Sequence, residues 1–571
     1  MTYLATPEQQ AILDAELVSL KVIACAGSGK TATAVRRLVE VRRRMGASRG
    51  YAVLLSYSNV AVETFRTQYT AVAAKYPGLS TRVHICTMDS FITNNILLPH
   101  AAQVMDCACR PFLVHGRERF LENPAYSVFD GKRPVAITSV DLRTTGPGLW
   151  EFINSDSKQV LPKPNAVKAV KALAKVGAYT HALGRFWVMV TLRKQARLCD
   201  ILATRYPHIL IDEAQDIGSL HGASLELLQK SGSVLAVVGD SNQAIYEFAD
   251  ADGSFLKGFA LPAGGRQLPL TENRRSVSQI IAVANRIAAP VCKPIREAPA
   301  RTHGSFYLKY EATKIQNLVS VFSQILRAHE YKTSEATILA RGASLAYQLK
   351  GGKDAFGQGA TRLFAEAAVS RDVRGDIATA FERTLDATFR LVEVGDAILR
   401  AKVVSGERGD GAQNLRRLIW GFLRNRVAGV PASTLSGDQW HAQLKARLPA
   451  FLATLSTECG LATRKSWAMN VTAKEISAAP LFEEDLAVGE GQDIRVSTVH
   501  KVKGESIPAV LYVTNSKSLN SLLGGTGDEE GRIGYVAITR AADLLILAVP
   551  KTIDKAKVTA LEQRGFIEWK A

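Results

Sequence analysis

Apolar positions along this chain fall into short unbroken runs, separated by stretches with helical spacing. The run LKVIA gives way through a glycine-rich turn to KTATAVRRLVEVRRR, where Val35, Leu38 and Val39 recur at helical intervals. YAVLLSYS from Tyr51, HILIDEA from His208 and VLAVVGD from Val234 read as further buried strands. A second series begins near Ser305 and continues with ATILAR (336–341), IRVSTVH (494–500), AVLYVT (509–514) and LLILAVP (544–550). Apolar strands alternating with helices predict an α/β fold built on parallel sheets. The alternation breaks twice, over about 92–200 and about 345–485, and both breaks read as mainly helical insertions. The predicted plan is therefore a first lobe from 1–91 and 201–280 with an insertion at 92–200. A second lobe comes from 281–344 and 486–571, with an insertion at 345–485.

At 571 residues the chain exceeds one ordinary hydrophobic core, which agrees with several domains. No apolar run reaches the length of a membrane span, so no membrane partner is expected. MTYLATPEQQ lacks a basic patch followed by an apolar stretch, and a cytoplasmic location is the expectation. The seven cysteines are scattered, with no zinc-spaced pairs, and are expected to be reduced thiols.

The formal net charge of +18 changes the picture, because half of the excess sits in one place. Ten lysines and arginines lie between Lys158 and Arg205, against the single acid Asp200. Within NAVKAVKALAKVG, Lys168, Lys171 and Lys175 share one helical face. A one-sided basic helix suits a phosphate backbone.

The chemistry begins at ACAGSGKTA, residues 24–32. In a phosphate-binding loop, successive backbone N–H groups and a helix N-terminus face the phosphates. Ala26, Gly27, Ser28 and Gly29 would form the curve, Lys30 would reach the terminal phosphates, and Thr31 would ligate Mg²⁺. Ala24 stands where the G-x-x-x-x-G-K-[ST] pattern has its first glycine. ILIDEAQD then delivers Asp212 and Glu213 at the carboxyl end of a strand, where open α/β sheets bind ligands. Asp212 would hold Mg²⁺, and Glu213 would accept a proton from an attacking water.

DEAQD with VVGDSNQAIYEF (237–248) resembles motifs II and III of UvrD/Rep-type superfamily 1 DNA helicases. TPEQQAI resembles the family's Q motif, SYSNVAVETF motif Ia, CTMDSF motif Ib, TENRRS motif IV, VSTVHKVKGES motif V and EEGRIGYVAITRA motif VI. The resemblance runs from about residue 6 to 550. It implies two RecA-like lobes with ATP and Mg²⁺ between them and single-stranded DNA or a single-strand/duplex junction as partner. The first insertion would be 1B-like and the second a reduced 2B-like subdomain. Gln9 would read adenine, Gln243 would sense the terminal phosphate, and Arg275 and Arg540 would act as arginine fingers. Glu505 would approach the ribose. Tyr57, Tyr246 and Phe248 match the family's base-stacking positions, and Asn59, Thr87 and His500 fall in its DNA-contact or coupling motifs.

This chain departs from the family in three places. Motif III continues FADAD, with Ala249 and Asp250 in place of an Arg-Gly pair. Motif V reads KGES, with Glu505 one place early. Motif Ib has Met88-Asp89 where the family often has a small residue or phenylalanine and a histidine. In LRRLIWGFLRNRV (415–427), a helix burying Trp420 and solvating its arginines is favoured over a duplex-contacting surface.

The resemblance implies an ATP-dependent translocase that unwinds DNA with 3′→5′ polarity. The alternative is a DNA-stimulated ATPase that senses or clamps DNA without unwinding it, partnered with a protein such as a nuclease in phage defence.

Overall fold

A computed structural model describes residues 4–76, 81–114, 116, 118–146, 149–155, 157–247, 250–289, 291–315, 317–349, 358–372, 376–393, 397–405, 410–474, 476, 481 and 494–570. The chain divides into two compact units, one formed by residues 1–311 and 499–571 and the other by 312–498.

The first unit opens with helix α1 (Pro7–Asp14), whose N-terminus is closed by a capping box between Thr6 and Gln9. It then builds a fully parallel six-stranded sheet from β1 (Leu20–Ala24), β2 (Ala52–Ser56), β3 (Val83–Thr87), β4 (His208–Ile211), β5 (Val234–Gly239) and β6 (Arg266–Leu270). The order is β6-β1-β5-β4-β2-β3, and every neighbouring pair is parallel. The central strands are buried along their length, so they carry the continuous apolar runs seen in the sequence. The edge strands are only partly buried, β3 at Ile85 and Cys86 and β6 at Leu268 and Leu270, and carry no such run. Helices α2 (Lys30–Met45), α3 (Asn59–Ala73), α4 (Met88–Ile92) and α7 (Ser219–Lys230) complete this lobe.

The first insertion is helical over α5 (Lys163–Lys175), α6 (His181–Lys194) and Ala196–Arg205. Before these it carries two antiparallel strand pairs, Ser127–Phe129 with Pro134–Ala136 and Val140–Gly146 with Leu149–Asn154. The alternation of VDLR (140–143), with Val140 and Leu142 buried and Arg143 exposed, is the half-buried strand signal that a purely helical reading passes over. The insertion shares one hydrophobic core with the β2–β4–β5 face of the sheet, through Phe91, Ile96, Leu183, Val188 and Tyr206.

The same unit holds a second parallel sheet with β7 (Gly304–Tyr310), β10 (Ile507–Val513), β11 (Ala541–Pro550) and β12 (Ile567–Glu568) in the order β10-β11-β7-β12. Helix α8 (Ser278–Asn285) packs against β7 and β11, and α9 (Glu529–Ile538) lies in the same lobe.

The second unit contains the parallel pair β8 (Ala336–Ala340) and β9 (Arg495–Thr498) and a helical body over Gly359–Cys459. Phe364, Phe381, Leu415, Ile419, Trp440 and Leu444 form its core. Trp420 stacks on Phe381 with ring centroids 4.5 Å apart, and the Arg424 guanidinium covers it at 4.7 Å. Trp420 is thus a packed core-edge residue. No helix among the described residues is long and apolar enough to cross a membrane.

Candidate nucleotide and nucleic-acid sites

Ala24 is the last residue of β1 and fully buried. The position where the loop pattern has its first glycine is therefore strand backbone, which alanine adopts without strain. The turn follows, with φ of +75° at Gly27 and +81° at Gly29. A Cβ on Gly27 would lie 2.8 Å from Asn273 Oδ1 and from the Arg275 Cβ, and one on Gly29 would lie 2.9 Å from Gln9 Nε2. Both glycines are required by conformation and by space. The loop's carbonyls face these same neighbours. Gln9 Nε2 donates to Ser28 O at 3.1 Å, Asn273 Nδ2 to Ala26 O at 2.7 Å and Arg274 N to Gly27 O at 3.0 Å. Lys30 and Thr31 open α2, where backbone amides lack intrahelical acceptors.

Asp212 and Glu213 follow β4 directly, and Glu213 sits at φ +51°, the left-handed region that non-glycine residues seldom occupy. Burial, reinforced by the neighbouring Glu213 charge, holds the Asp212 carboxyl above its ordinary range. Among the described residues Asp212 Oδ1 has no hydrogen-bond partner. Burial pushes Glu213 upward as well. The charges of Lys30 and Lys503, a hydrogen bond from Gln215 and the charge of Arg540 together outweigh it and keep Glu213 ionised. An orphaned buried carboxylate oxygen beside a glycine cradle and a lysine fits a polyphosphate with a divalent cation, with Thr31 and Asp212 as the holding residues.

Opposite the loop lie Gln243, Arg275 and Arg540. Gln243 Nε2 donates to Asp240 Oδ2 at 2.7 Å, and its Oε1 accepts from Arg540 Nη2 at 3.2 Å. Arg540 is almost wholly buried and also donates to Val536 O and Glu505 O. Arg275 donates to Thr539 O at 3.0 Å and Gly504 O at 3.3 Å. Burial lowers both guanidinium pKa values, and Arg275 is further lowered by the charge of Arg540. Two neighbouring cations, Arg540 buried and Arg275 half-buried, mark a place that an anion would stabilise. Glu505 stands beside Arg540, where its charge favours the guanidinium.

Three residues that sequence reading passed over tie this cluster to the aromatic positions. Lys503 Nζ reaches Asp216 at 2.6 Å and donates to Gln243 O at 2.8 Å, and both ends of the ion pair are more than nine-tenths buried. The same ammonium lies 4.6 Å from the centre of the Tyr246 ring. Gln215 links Glu213 to Asp240, accepting from the Asp240 amide at 3.0 Å. The signal was present in the fifth residue of DEAQD and the second lysine of KVKGES, but nothing local pairs residues 287 positions apart.

Tyr57 and Tyr246 stack with centroids 5.3 Å apart and planes inclined 19°. His500 follows at 6.0 Å from Tyr246, with Nε2 3.2 Å from Ile245 O. Tyr57 as a whole is 39% exposed, so it remains accessible to a stacking partner. Phe248 lies outside the described residues. Asn59 is exposed at the first turn of α3. The Thr87 hydroxyl accepts from Ser90 N at 3.2 Å and caps α4. Lys168, Lys171 and Lys175 are all exposed on α5, opposite buried Ala166, Ala169, Val170 and Leu173.

The motif III departure has a local explanation. Asp250 adopts φ +61° and accepts from the backbone N and hydroxyl of Ser219, capping α7. Glu247 pairs with Arg532 of the motif VI segment, which also donates to Ala244 O at 2.6 Å.

A family model described as the UvrD/REP helicase N-terminal domain matches residues 5–128 and 168–261. Over those two segments, fewer than half of its residues, the chain is similar to this UvrD/Rep-type domain. Among the chain's curated relatives is ATP-dependent DNA helicase UvrD2 of Mycobacterium tuberculosis, 24% identical over 377 residues. That match covers 62% of this chain and 49% of the relative. DNA helicase II of Escherichia coli is 25% identical over 415 residues, covering 61% of this chain and 56% of the relative. The chain therefore spans about half the length of the curated relatives it matches. The matched family region contains the loop, Asp212, Glu213, Gln243, Tyr57 and Tyr246, while Arg275, His500, Lys503 and Arg540 lie beyond it.

Proposed function

We propose that this chain is an ATP-driven motor on single-stranded DNA, with ATP and Mg²⁺ held between the glycine loop and the Gln243–Arg275–Arg540 cluster. The observation that carries the reading is the hydrogen bond between Arg540 and Gln243, which brings a buried cation of one lobe to the end of a strand of the other. Lys30 and Thr31 bind the phosphate end, and Thr31 and Asp212 hold the cation, which would supply charge neutralisation on the phosphate oxygens. Glu213 takes the proton of the attacking water. Arg275 and Arg540 oppose the negative charge that develops on the transferring group. Gln9, with its amide on the loop, reads the base, and Glu505 borders the sugar side. The names of the relatives, ATP-dependent DNA helicase and DNA helicase, support strand separation, and the 3′→5′ direction is proposed from the family resemblance.

The strand would stack on Tyr57, with Tyr246 and His500 behind it, and cross the exposed lysines of α5. Lys503 joins this row to the phosphate side, because one ammonium contacts Asp216, the Gln243 carbonyl and the Tyr246 ring. The acidic turn at Asp250 keeps a second reading in view, a DNA-gated ATPase that clamps without unwinding and works with a partner such as a nuclease. ATP hydrolysis measured with and without an oligothymidylate tests the proposal. Stimulation by the single strand is expected, and a rate indifferent to it would remove both readings.

A further inference from the structure

Asp89, in the first turn of α4, is bound from two other elements. Arg185 of α6 donates to Asp89 Oδ1 from Nε at 2.9 Å and to Oδ2 from Nη2 at 2.8 Å. His221 of α7 approaches Oδ1 with Nε2 at 2.9 Å, and its side chain is only 6% exposed. Burial keeps His221 neutral, so its Nε2 carries the hydrogen that the carboxylate accepts. A bidentate fork braced by a third donor fixes the guanidinium plane. The remaining nitrogen, Arg185 Nη1, has no partner among the described residues, and the side chain retains 28% exposure. Arg185 and Asp89 are near enough to Tyr57 for both charges to bear on its hydroxyl.

A residue needed only to fasten the insertion to the sheet would be served by the ion pair alone. Here the fork is held by one edge, and the other N–H edge is left over in the most basic part of the chain. A strand stacked on Tyr57 carries its phosphates along the flank of that ring. We propose that Arg185 is a phosphate-positioning residue for the strand on Tyr57, with Asp89 and His221 fixing its guanidinium and Nη1 taking one backbone phosphate. This rests on the single-strand reading above.

The test is equilibrium binding of a fluorescent oligothymidylate by the full chain across a salt series, with the melting temperature of each variant recorded. Removing one phosphate partner in Arg185→Gln should lower the slope of log affinity against log salt by about 0.7. Arg185→Lys, which keeps the charge and loses the fork, should restore the slope at weaker affinity. Asp89→Asn supplies a test of sign. It removes a negative charge beside the strand, so a bystander carboxylate would give tighter binding, whereas a positioning carboxylate gives weaker binding. An unchanged slope in Arg185→Gln, or tighter binding by Asp89→Asn, overturns the proposal. Wild-type protein that binds no oligothymidylate at any salt concentration removes the single-strand reading itself, an outcome distinct from either variant result.

Discussion

Arg540 donates to the side-chain oxygen of Gln243 at 3.2 Å, and the opposite end of the same amide donates to Asp240. Asp240 N in turn donates to Gln215, and Gln215 to Glu213. One hydrogen-bonded line thus runs from the candidate catalytic carboxylate to a guanidinium far along the chain. Arg540→Ala should reduce ATP turnover by about 10³–10⁵-fold, the range seen when transition-state arginines are removed from other NTPases. Gln243→Ala should lower turnover and the degree of DNA stimulation together. A steady-state ATPase assay with and without single strand checks both.

Lys503 and Asp216 form a buried ion pair, which is strongly destabilising to break from one side and close to neutral to replace whole. Lys503→Met should cost about 3–5 kcal/mol in urea denaturation. Lys503→Met with Asp216→Leu should recover most of that stability while leaving DNA stimulation of the ATPase abolished. A double variant as unstable as the single one would contradict the ion-pair account.

The same aspartate gives a pH prediction. Burial outweighs the Lys503 charge and raises Asp216 from 3.8 to about 6. A carboxyl raised on folding contributes stability that is full below the unfolded value and lost as pH rises through the folded one. Compared with Asp216→Asn, the wild type should therefore lose ground between about pH 4 and pH 7. The shift corresponds to about 3 kcal/mol at 1.36 kcal/mol per pKa unit. Denaturation of the two proteins across that range checks it, and a constant difference would contradict it.

The parallel strands could be read from the sequence where they are central, because strands covered on both faces carry long apolar runs, as in AVLLS and VLAVVG. Val83–Thr87 and Arg266–Leu270 escaped because these edge strands are only partly buried and polar residues interrupt their apolar runs. The loop, Asp212 and Glu213 could be found because each belongs to a local pattern with a chemical reason. Lys503–Asp216 and Asp89–Arg185 could not, since each joins residues far apart in the chain through a fold that no local spacing encodes. Ala24 shows the reverse case, an apparent defect in a motif that turns out to be the last residue of a strand.

The lysines of α5 give a separate test of the basic insertion. Lys168→Ala, Lys171→Ala and Lys175→Ala combined should weaken oligothymidylate binding and reduce the salt slope by about 0.7 for each phosphate that these ammonium groups neutralise. Because all three side chains are exposed, the melting temperature should hardly move. Unchanged salt dependence would assign that face to solvent alone.

The central claim is that ATP hydrolysis at the Glu213–Gln243–Arg540 line drives movement along a strand. The most direct measurement is ATP-dependent strand displacement on duplexes carrying either a 3′ or a 5′ single-stranded tail, with Glu213→Gln as the control. The motor account predicts displacement of the 3′-tailed duplex, its dependence on ATP, and its loss in Glu213→Gln while ATP binding persists. DNA-stimulated hydrolysis with no displacement of either duplex would contradict it and leave the clamp.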